Sequence, residues 1–206
     1  MAGSRPPLRL PPADLASRAP LWFPQPACLW RYHRVGLEPL HFGRSGAHRF
    51  DAPDDARDAY GVCYCGLSLA AAFAETFLRD EPAIVHAADL RVRRCAQFVP
   101  AADLRLVRFE GPGLRRLGAD AASVQAERAA TQSWSAALWR HPSRPHGLVW
   151  RARHDDGELC AALFDPLADG QPGAVDFHRE AEVDLLGDPN LLGDLLDRYG
   201  AGFEPD

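Results

Sequence analysis

A short apolar run that leads directly into an amphipathic segment constrains the fold of this chain most strongly. Residues 61–66, GVCYCG, are apolar and bounded by glycines, which predicts a buried strand of about six residues. Ser68 is a residue type that begins helices. After it, side chains recur at the spacing of a core-facing helical stripe, at Leu69, Ala72, Phe73, Thr76 and Phe77. The sequence therefore predicts a buried strand followed at once by a helix.

One carboxylate, Glu75, lies at the border of this stripe. The small residues one turn before it, Ala71 and Ala72, leave room for a ligand or another backbone. An ordinary alternative is equally concrete, because Arg79 lies four residues further on and such a pair stabilises a helix surface by about 0.2–0.5 kcal/mol. Spacing alone leaves both interpretations open.

Length and composition narrow the class of protein. A chain of 206 residues suits one domain with a sizeable core, and a net charge of −5 argues against a broad cationic surface for nucleic acid. The five cysteines are scattered and no second metal-binding motif accompanies them, so no metal site is expected. No apolar run has the length of a membrane span or a signal peptide. We therefore expect a cytoplasmic protein with reduced thiols, no membrane contact and no direct contact with nucleic acid.

The N-terminal segment differs from the rest of the chain. Residues 1–27 hold seven prolines, a density that disfavours regular structure. They predict a proline-rich arm, with Trp22 and Phe23 as anchors that pack either on the domain or on a partner chain. The main domain is predicted to span residues 28–206.

The remaining pattern predicts strands and helices in a single α+β domain. They are a strand over 28–35, two or three antiparallel strands over 83–109, a helix over 112–118, a long helix over 121–139, a hairpin over 147–165 that turns at 156–157, a strand over 174–186 and a helix over 188–200. We expect a mixed or antiparallel sheet flanked by helices.

Several familiar catalytic motifs are absent, and a set of dispersed polar residues remains. The chain has no GxGxxG, GxxxxGK[ST] or GxSxG sequence. Arg31 lies on the first predicted strand, as a solvated edge residue or a ligand contact. Arg49 precedes an acidic loop that it could hold through its carboxylates, or it could bind a diphosphate. Tyr64 is either buried in the sheet or faces a ligand.

The segments that carry these residues resemble a known family. RFD at 49–51, YGVCYCG at 60–66 and AFAETFLR at 72–79 resemble the RES-domain family, which is named for recurring Arg, Glu and Ser residues. The resemblance extends from LWRYHR at 29–34 to RARHDDGELCAALFD at 151–165. It implies an ADP-ribosyltransferase-like fold and a toxin of a bacterial toxin–antitoxin pair that consumes NAD.

The resemblance also assigns roles to residues. It implies that Arg31 contacts substrate and that Gln132 and Ser133, in TQSWSAAL, border the pocket. The usual alternative for a helix hydroxyl such as Ser133 is a bond to the preceding turn. Family members often have a serine between the two arginines of the 151–153 segment, where this chain has Ala152. If that serine matters, a neighbour replaces it here or the activity is weaker.

The chemistry of this set suits cleavage of the nicotinamide–ribose bond of NAD, which would be a substrate and not a cofactor. Nicotinamide leaves neutral, so no general acid is needed, and a carboxylate such as Glu75 can oppose the positive charge of the oxocarbenium-like state. Tyr64 would stack on the nicotinamide end, while Arg31 and Arg49 would bind the diphosphate.

The acceptor and the partner stay open at this point. Water would make the protein an NAD glycohydrolase, inorganic phosphate would make it a phosphorylase, and a protein side chain would make it an ADP-ribosyltransferase. A domain that binds a nucleotide or a partner without turnover is the non-enzymatic alternative, which Ala152 keeps open. For a toxin, an antitoxin that covers the pocket is the expected partner.

Overall fold

The computed structural model describes residues 9–165 and 176–205, and within them it has the predicted α+β character. The strands are β1 (Leu29–Arg34), β2 (Val62–Gly66), β3 (Ile84–His86), β4 (Arg93–Pro100), β5 (Leu106–Arg108), β6 (Gly147–Arg151), β7 (Leu159–Phe164), β8 (Phe177–Val183) and β9 (Gly202–Glu204). The helices are α1 (Leu69–Phe77), α2 (Ala87–Arg91), α3 (Gly111–Leu117), α4 (Ala121–Val124), α5 (Arg128–Trp139) and α6 (Pro189–Tyr199).

Seven of the described strands form one mixed sheet in the order β5-β6-β7-β2-β1-β4-β8. The β5–β6 pair is parallel and the other pairs in this sheet are antiparallel. Strands β3 and β9 form a separate parallel pair. The prediction of a single α+β domain with a mixed sheet is confirmed.

The sheet is weakest at its centre, where β1 meets β2 through one residue pair, Trp30 with Gly66. Helix α1 packs directly over this junction. A side chain at position 66 would place its Cβ 2.4 Å from the backbone nitrogen of Ala72 and 2.7 Å from the carbonyl oxygen of Ser68, so only glycine fits. Since one pair joins the strands, two half-sheets meet at this point.

Helix α1 begins as predicted, and three residues of its predicted stripe, Leu69, Phe73 and Phe77, lie in or against one apolar cluster. The Ser68 hydroxyl accepts a hydrogen bond from the backbone nitrogen of Ala71 at 2.9 Å, which confirms the predicted N-cap. Phe73 and Ala74 are buried in a cluster with Leu192 and Leu195 of α6. The other two residues of the stripe, Ala72, which is buried as predicted, and Thr76, also line a cavity.

The described part of the N-terminal segment packs on the domain. Leu15 is 4% exposed and belongs to the main apolar cluster. Trp22 pairs with Val107 in an isolated β-bridge, and the Phe23 backbone nitrogen donates to Leu106 at 2.8 Å. The structure thus places both predicted anchors on the domain, while the boundary at residue 27 remains a prediction.

Two element predictions are wrong in detail. The long helix over 121–139 is interrupted, because α4 ends at Val124 and α5 begins at Arg128. The Val124 carbonyl oxygen accepts a hydrogen bond from Arg49 Nη1 at 3.1 Å in place of a continuing helix. In the 83–109 segment, Ala87–Arg91 is a helix and β5 pairs parallel to β6, so the segment is not a set of antiparallel strands.

The C-terminal half otherwise follows the sequence pattern. The β6–β7 hairpin is antiparallel, as predicted. Helix α6 is capped by Asp188, whose side chain accepts from the Leu191 backbone nitrogen at 3.1 Å. Gly200, with φ of 58°, follows its last residue and terminates it. The predicted last strand begins outside the described residues, and its described part contains β8.

Among the described helices, none has the length and apolar character needed to cross a membrane.

Candidate active site

A cavity of about 500 Å³ opens where the two half-sheets meet under α1. The two halves both contribute to its wall, with β1 and β4 on one side and β2, β6 and β7 on the other. The side chains with polar or aromatic character along it are Trp30, Arg31, Tyr32, His48, Arg49, Tyr64, Glu75, Thr76, Arg79, Arg93, Trp150, Arg153 and His154. All four residues predicted to be catalytic, Arg31, Arg49, Tyr64 and Glu75, are therefore brought to one cavity.

Glu75 lies on the α1 wall of the cavity. Its Oε1 accepts a hydrogen bond from the backbone N–H of Arg153 at 2.6 Å. Arg79 does not form the alternative surface ion pair, because its Nε donates to the backbone carbonyl of Glu75 at 2.8 Å. Within the described part of the chain, nothing donates a hydrogen bond to Glu75 Oε2. One carboxylate oxygen is therefore fixed and the other can accept a bond from a ligand.

Arg49 lies against two aromatic rings at the cavity. Its guanidinium carbon is 5.5 Å from the centre of the Phe50 ring and 5.9 Å from that of Trp150. Its Nη1 donates to Val124, so the structure does not show the alternative in which it holds the 51–55 carboxylates. Burial lowers the pKa of Arg49 and the nearby Glu75 carboxylate raises it. An arginine stays protonated under such opposing effects, so Arg49 presents a charged fork to the cavity.

Arg31 reaches across the junction of the half-sheets. Its Nη1 donates to Cys63 Sγ at 2.8 Å and lies 3.4 Å from the Tyr64 carbonyl oxygen, while its buried Nε has no hydrogen-bond partner among the described residues. A hydrogen bond with Cys65 outweighs burial and, with the Arg31 guanidinium, lowers the pKa of Cys63 to about 7. Because β1 lies inside the sheet, Arg31 is not the solvated edge residue of the alternative interpretation.

Tyr64 has a structural hydroxyl and a ring at the cavity. The hydroxyl donates to Asp51 Oδ1 at 2.9 Å and accepts from the Phe50 backbone nitrogen at 3.0 Å. Burial, followed by the Asp51 carboxylate, raises the pKa of Tyr64 well above its ordinary value. The ring packs edge-on against His48 and Trp150, with centroid distances of 5.3 Å and 6.0 Å. Only the ring of Tyr64 is therefore available to a ligand.

Gln132 and Ser133, predicted to bind substrate, are not brought to the cavity. Gln132 Nε2 donates to the carbonyl oxygens of Gly46 and His48 at 2.9 Å and 3.1 Å. The Ser133 hydroxyl donates to Ala129 at 2.9 Å, the ordinary bond to the preceding turn. Gln132 thus holds the loop that carries His48 and Arg49, and Ser133 stabilises its own helix.

Residues in the last part of β6 and just after it complete the site, and the sequence did not predict them as site residues. Trp150, Arg153 and His154 line the cavity, although the sequence pattern showed Arg153 and His154 only as strand residues. Ala152, the residue before Arg153, is 3% exposed and belongs to the main apolar cluster. All 23 lysine-or-arginine positions of the chain are arginine, but this bias does not say which arginines converge.

The electrostatic character of the cavity is strongly positive. Its wall carries one carboxylate, Glu75, and five guanidinium groups, from Arg31, Arg49, Arg79, Arg93 and Arg153. Such an excess of forked cationic donors favours a ligand with phosphate groups. Among the described residues, no group of three or more acidic, histidine or cysteine side chains could hold a metal ion.

Comparison with protein-family models matches residues 28–184 to the RES domain. The chain belongs to the RES-domain family. Among solved structures, this RES-domain protein is similar to a chain of the crystal structure of the M. tuberculosis MbcT–MbcA toxin–antitoxin complex. That match has a TM-score of 0.59 and 14% sequence identity, and covers 89% of this chain and 97% of the other. At this identity the likeness shows a shared fold. No curated protein sequence matches this RES-domain chain.

Proposed function

We propose that this RES-domain protein is an enzyme that consumes NAD by cleaving the nicotinamide–ribose bond. The observation that carries the proposal is the position of Glu75 on the wall of a cavity rich in arginine. One of its carboxylate oxygens is fixed, and the other accepts no hydrogen bond from the described residues. This arrangement combines a group that opposes positive charge with groups that bind phosphates.

The bond cleavage needs little from the protein besides charge and position. The C1′–N bond breaks and its electron pair moves to the nicotinamide nitrogen, which neutralises the pyridinium charge. Positive charge grows on the ribose as this happens. The other oxygen of Glu75 would accept a hydrogen bond from a ribose hydroxyl and stabilise that charge. We expect an effect of about 10²–10³-fold in kcat, the size found when one preorganised oxyanion-hole donor is removed.

The other walls of the cavity match the remaining parts of the dinucleotide. Arg49 and Arg31, from opposite sides of the junction, would bind the diphosphate through forked hydrogen bonds. The ring of Tyr64, supported by Trp150, would stack on the nicotinamide end and exclude water. Both positions require a dinucleotide that lies across the junction of the half-sheets.

The acceptor completes the reaction. Its oxygen forms a bond to C1′ and gives up a proton, so water yields ADP-ribose and inorganic phosphate yields a phosphorylated ADP-ribose. We favour these small acceptors. Water would make the protein a glycohydrolase and phosphate would make it a phosphorylase, and both enzymes are glycosyltransferases in the broad sense. The alternative outcomes are an ADP-ribosyltransferase that modifies a protein, and a binding domain without turnover.

The biological role that we propose is the toxin of a toxin–antitoxin pair acting in the cytoplasm. Two findings support it, the RES-domain match and the shared fold with a chain from a toxin–antitoxin complex. The expected partner is a cognate antitoxin that covers the cavity.

The experiment that tests the enzymatic proposal is an assay of NAD loss by the purified protein, with and without inorganic phosphate, in which the products are identified by mass. NAD loss with release of nicotinamide supports the proposal, and the mass of the second product identifies the acceptor. Absence of NAD loss in both buffers contradicts net NAD consumption and directs the search toward a protein acceptor or a binding partner.

A further inference from the structure

The C-terminal helix α6 lies beyond residues 28–184, which the family model covers, yet it holds the turn that fixes Glu75. Arg198 Nη2 donates to Asp155 Oδ2 at 3.0 Å and to Glu158 Oε1 at 2.6 Å. Both carboxylates belong to the turn between β6 and β7. One guanidinium of α6 therefore bridges two positions of the same turn.

Tyr199, the last residue of α6, joins the same turn to helix α1. Its hydroxyl lies 2.9 Å from Asp155 Oδ2 and 3.3 Å from the carbonyl oxygen of Ala70. Its ring stacks on Phe73 of α1 with a centroid distance of 6.0 Å. Tyr199 thus contacts both the helix that carries Glu75 and the turn that carries Arg153.

Hydrogen bonds within the turn link Asp155 and Glu158 to the backbone on either side of Arg153. The Ala152 backbone nitrogen donates to Glu158 at 2.9 Å, the Glu158 nitrogen donates to Asp155 at 2.9 Å, and the Gly157 nitrogen donates to Asp155 Oδ1 at 3.0 Å. These bonds surround Arg153, whose own N–H meets Glu75 Oε1 at 2.6 Å. A displacement of Asp155 or Glu158 would therefore displace the Arg153 N–H.

We propose that Arg198 and Tyr199 are positioning residues for the catalytic carboxylate, because they hold the β6–β7 turn so that the Arg153 N–H orients Glu75. The proposal rests on the proposed function of Glu75. A simple surface ion pair would contribute little, since the Arg198 side chain is 47% exposed. The Arg198 contacts differ from a simple surface ion pair because they hold the turn whose Arg153 N–H donates to Glu75.

Burial and hydrogen bonding act in opposite directions on Asp155. Burial raises its pKa, but the bonds from Tyr199 and Arg198 outweigh this and leave the pKa below its ordinary value. The same contacts raise the pKa of Arg198. Both groups are charged at neutral pH, so the contact between α6 and the turn persists under the conditions of an assay.

The test compares Arg198→Ala, Arg198→Lys and Tyr199→Phe in the full chain, with Arg116→Ala on the exposed face of α3 as the matched control. A misplacement of the carboxylate should lower kcat for NAD by roughly ten- to hundredfold in Arg198→Ala with little change in KM. The lysine variant should recover part of this loss, because its ammonium still pairs with one carboxylate. Kinetics equal to those of the control would overturn the proposal.

Two further readouts separate positioning from a general effect on stability. In a Glu75→Gln background, Arg198→Ala should produce no additional loss of kcat, and an additional loss would contradict the route through Glu75. Hydrogen exchange at the Arg153 amide should accelerate in Arg198→Ala but not in Arg116→Ala. This exchange comparison does not need turnover. If the wild-type protein left NAD intact, the proposed function would fail. Separately, an Arg153 amide that exchanged no faster in Arg198→Ala than in the wild type would reject the role of α6.

Discussion

Glu75 and Arg153 meet through a hydrogen bond of 2.6 Å between one carboxylate oxygen and a backbone N–H. The bond joins helix α1 to the turn after β6, two elements that are far apart in sequence. It orients the carboxylate without using a charged side chain, so the negative charge of Glu75 is not neutralised by an ion pair in this bond. A carboxylate held in this manner suits the stabilisation of positive charge on a bound sugar.

Arg49→Ala should weaken substrate binding more than it slows the chemical step. The loss of a charge-assisted hydrogen bond to a phosphate costs about 1.5–3 kcal/mol, or roughly ten- to hundredfold in KM. Steady-state kinetics with NAD, beside Arg115→Ala on α3 as a control for charge, measure the effect. A lower thermal stability with KM unchanged would show that Arg49 serves only to hold Val124 and its aromatic neighbours.

Tyr64→Phe should lower stability and leave turnover per folded molecule close to that of the wild type. The substitution keeps the ring at the cavity but removes the hydroxyl that bonds to Asp51 and Phe50, at a cost of about 1–3 kcal/mol in the free energy of unfolding. Urea unfolding and kcat are measured on the same preparation. If kcat fell as far as it does in Glu75→Gln, the hydroxyl would take part in the chemistry.

Gln132→Ala and Ser133→Ala, at adjacent positions on α5, should have very different effects on KM for NAD and on the free energy of unfolding. Gln132 bonds to Gly46 and His48 and is 6% exposed, so its loss should raise KM for NAD and lower the free energy of unfolding by about 1–3 kcal/mol. The Ser133 hydroxyl donates to Ala129 of its own helix, so Ser133→Ala serves as the control, with KM and the free energy of unfolding expected near their wild-type values. A larger kinetic effect at Ser133 would restore the substrate contact that the family resemblance implied.

The stabilising contribution of Asp155 should depend on pH. The bonds from Tyr199 and Arg198 hold its pKa below the ordinary value of 3.8 in the folded protein. A group with a lowered native pKa stabilises the fold fully above its unfolded-state pKa and loses this contribution as pH falls through the native value. Asp155→Asn should therefore be less stable than the wild type at pH 7, and the difference should shrink below about pH 3.8. Urea unfolding across this range, with exposed Asp103→Asn as the control, measures it; a difference independent of pH would contradict the assignment.

The features that the sequence predicts well depend on neighbouring residues. The Ser68 cap, the glycine that ends α6 and the β6–β7 hairpin each follow from a few adjacent side chains. Glu75 was found because small residues surround it within one helix, and because the segment resembles the RES-domain family. Local chemistry and the family motif thus point to Glu75, which the structure places on the cavity wall.

The features that the sequence does not predict depend on contacts between distant segments. The break between α4 and α5 is accompanied by a bond from Arg49 to Val124, and the role of Gln132 depends on a loop 84 to 86 residues earlier. The approach of Arg153 to Glu75 spans 78 residues. No local pattern encodes these distances, so the helix break, the contacts of Gln132 and the contribution of the residues that follow β6 emerge only in three dimensions. The Ser133 bond to Ala129 is local, and it is the alternative that helix chemistry already offered.

The most direct test of NAD cleavage compares the wild type with Glu75→Gln, and uses Glu180→Gln on exposed β8 as a matched control. NAD loss and nicotinamide release are measured by mass, with and without phosphate, beside thermal unfolding of each protein. We predict NAD loss by the wild type and the control, and a rate about 10²–10³-fold lower in Glu75→Gln at similar stability. Equal turnover in Glu75→Gln, or no NAD loss by the wild type in either buffer, would contradict the proposed function.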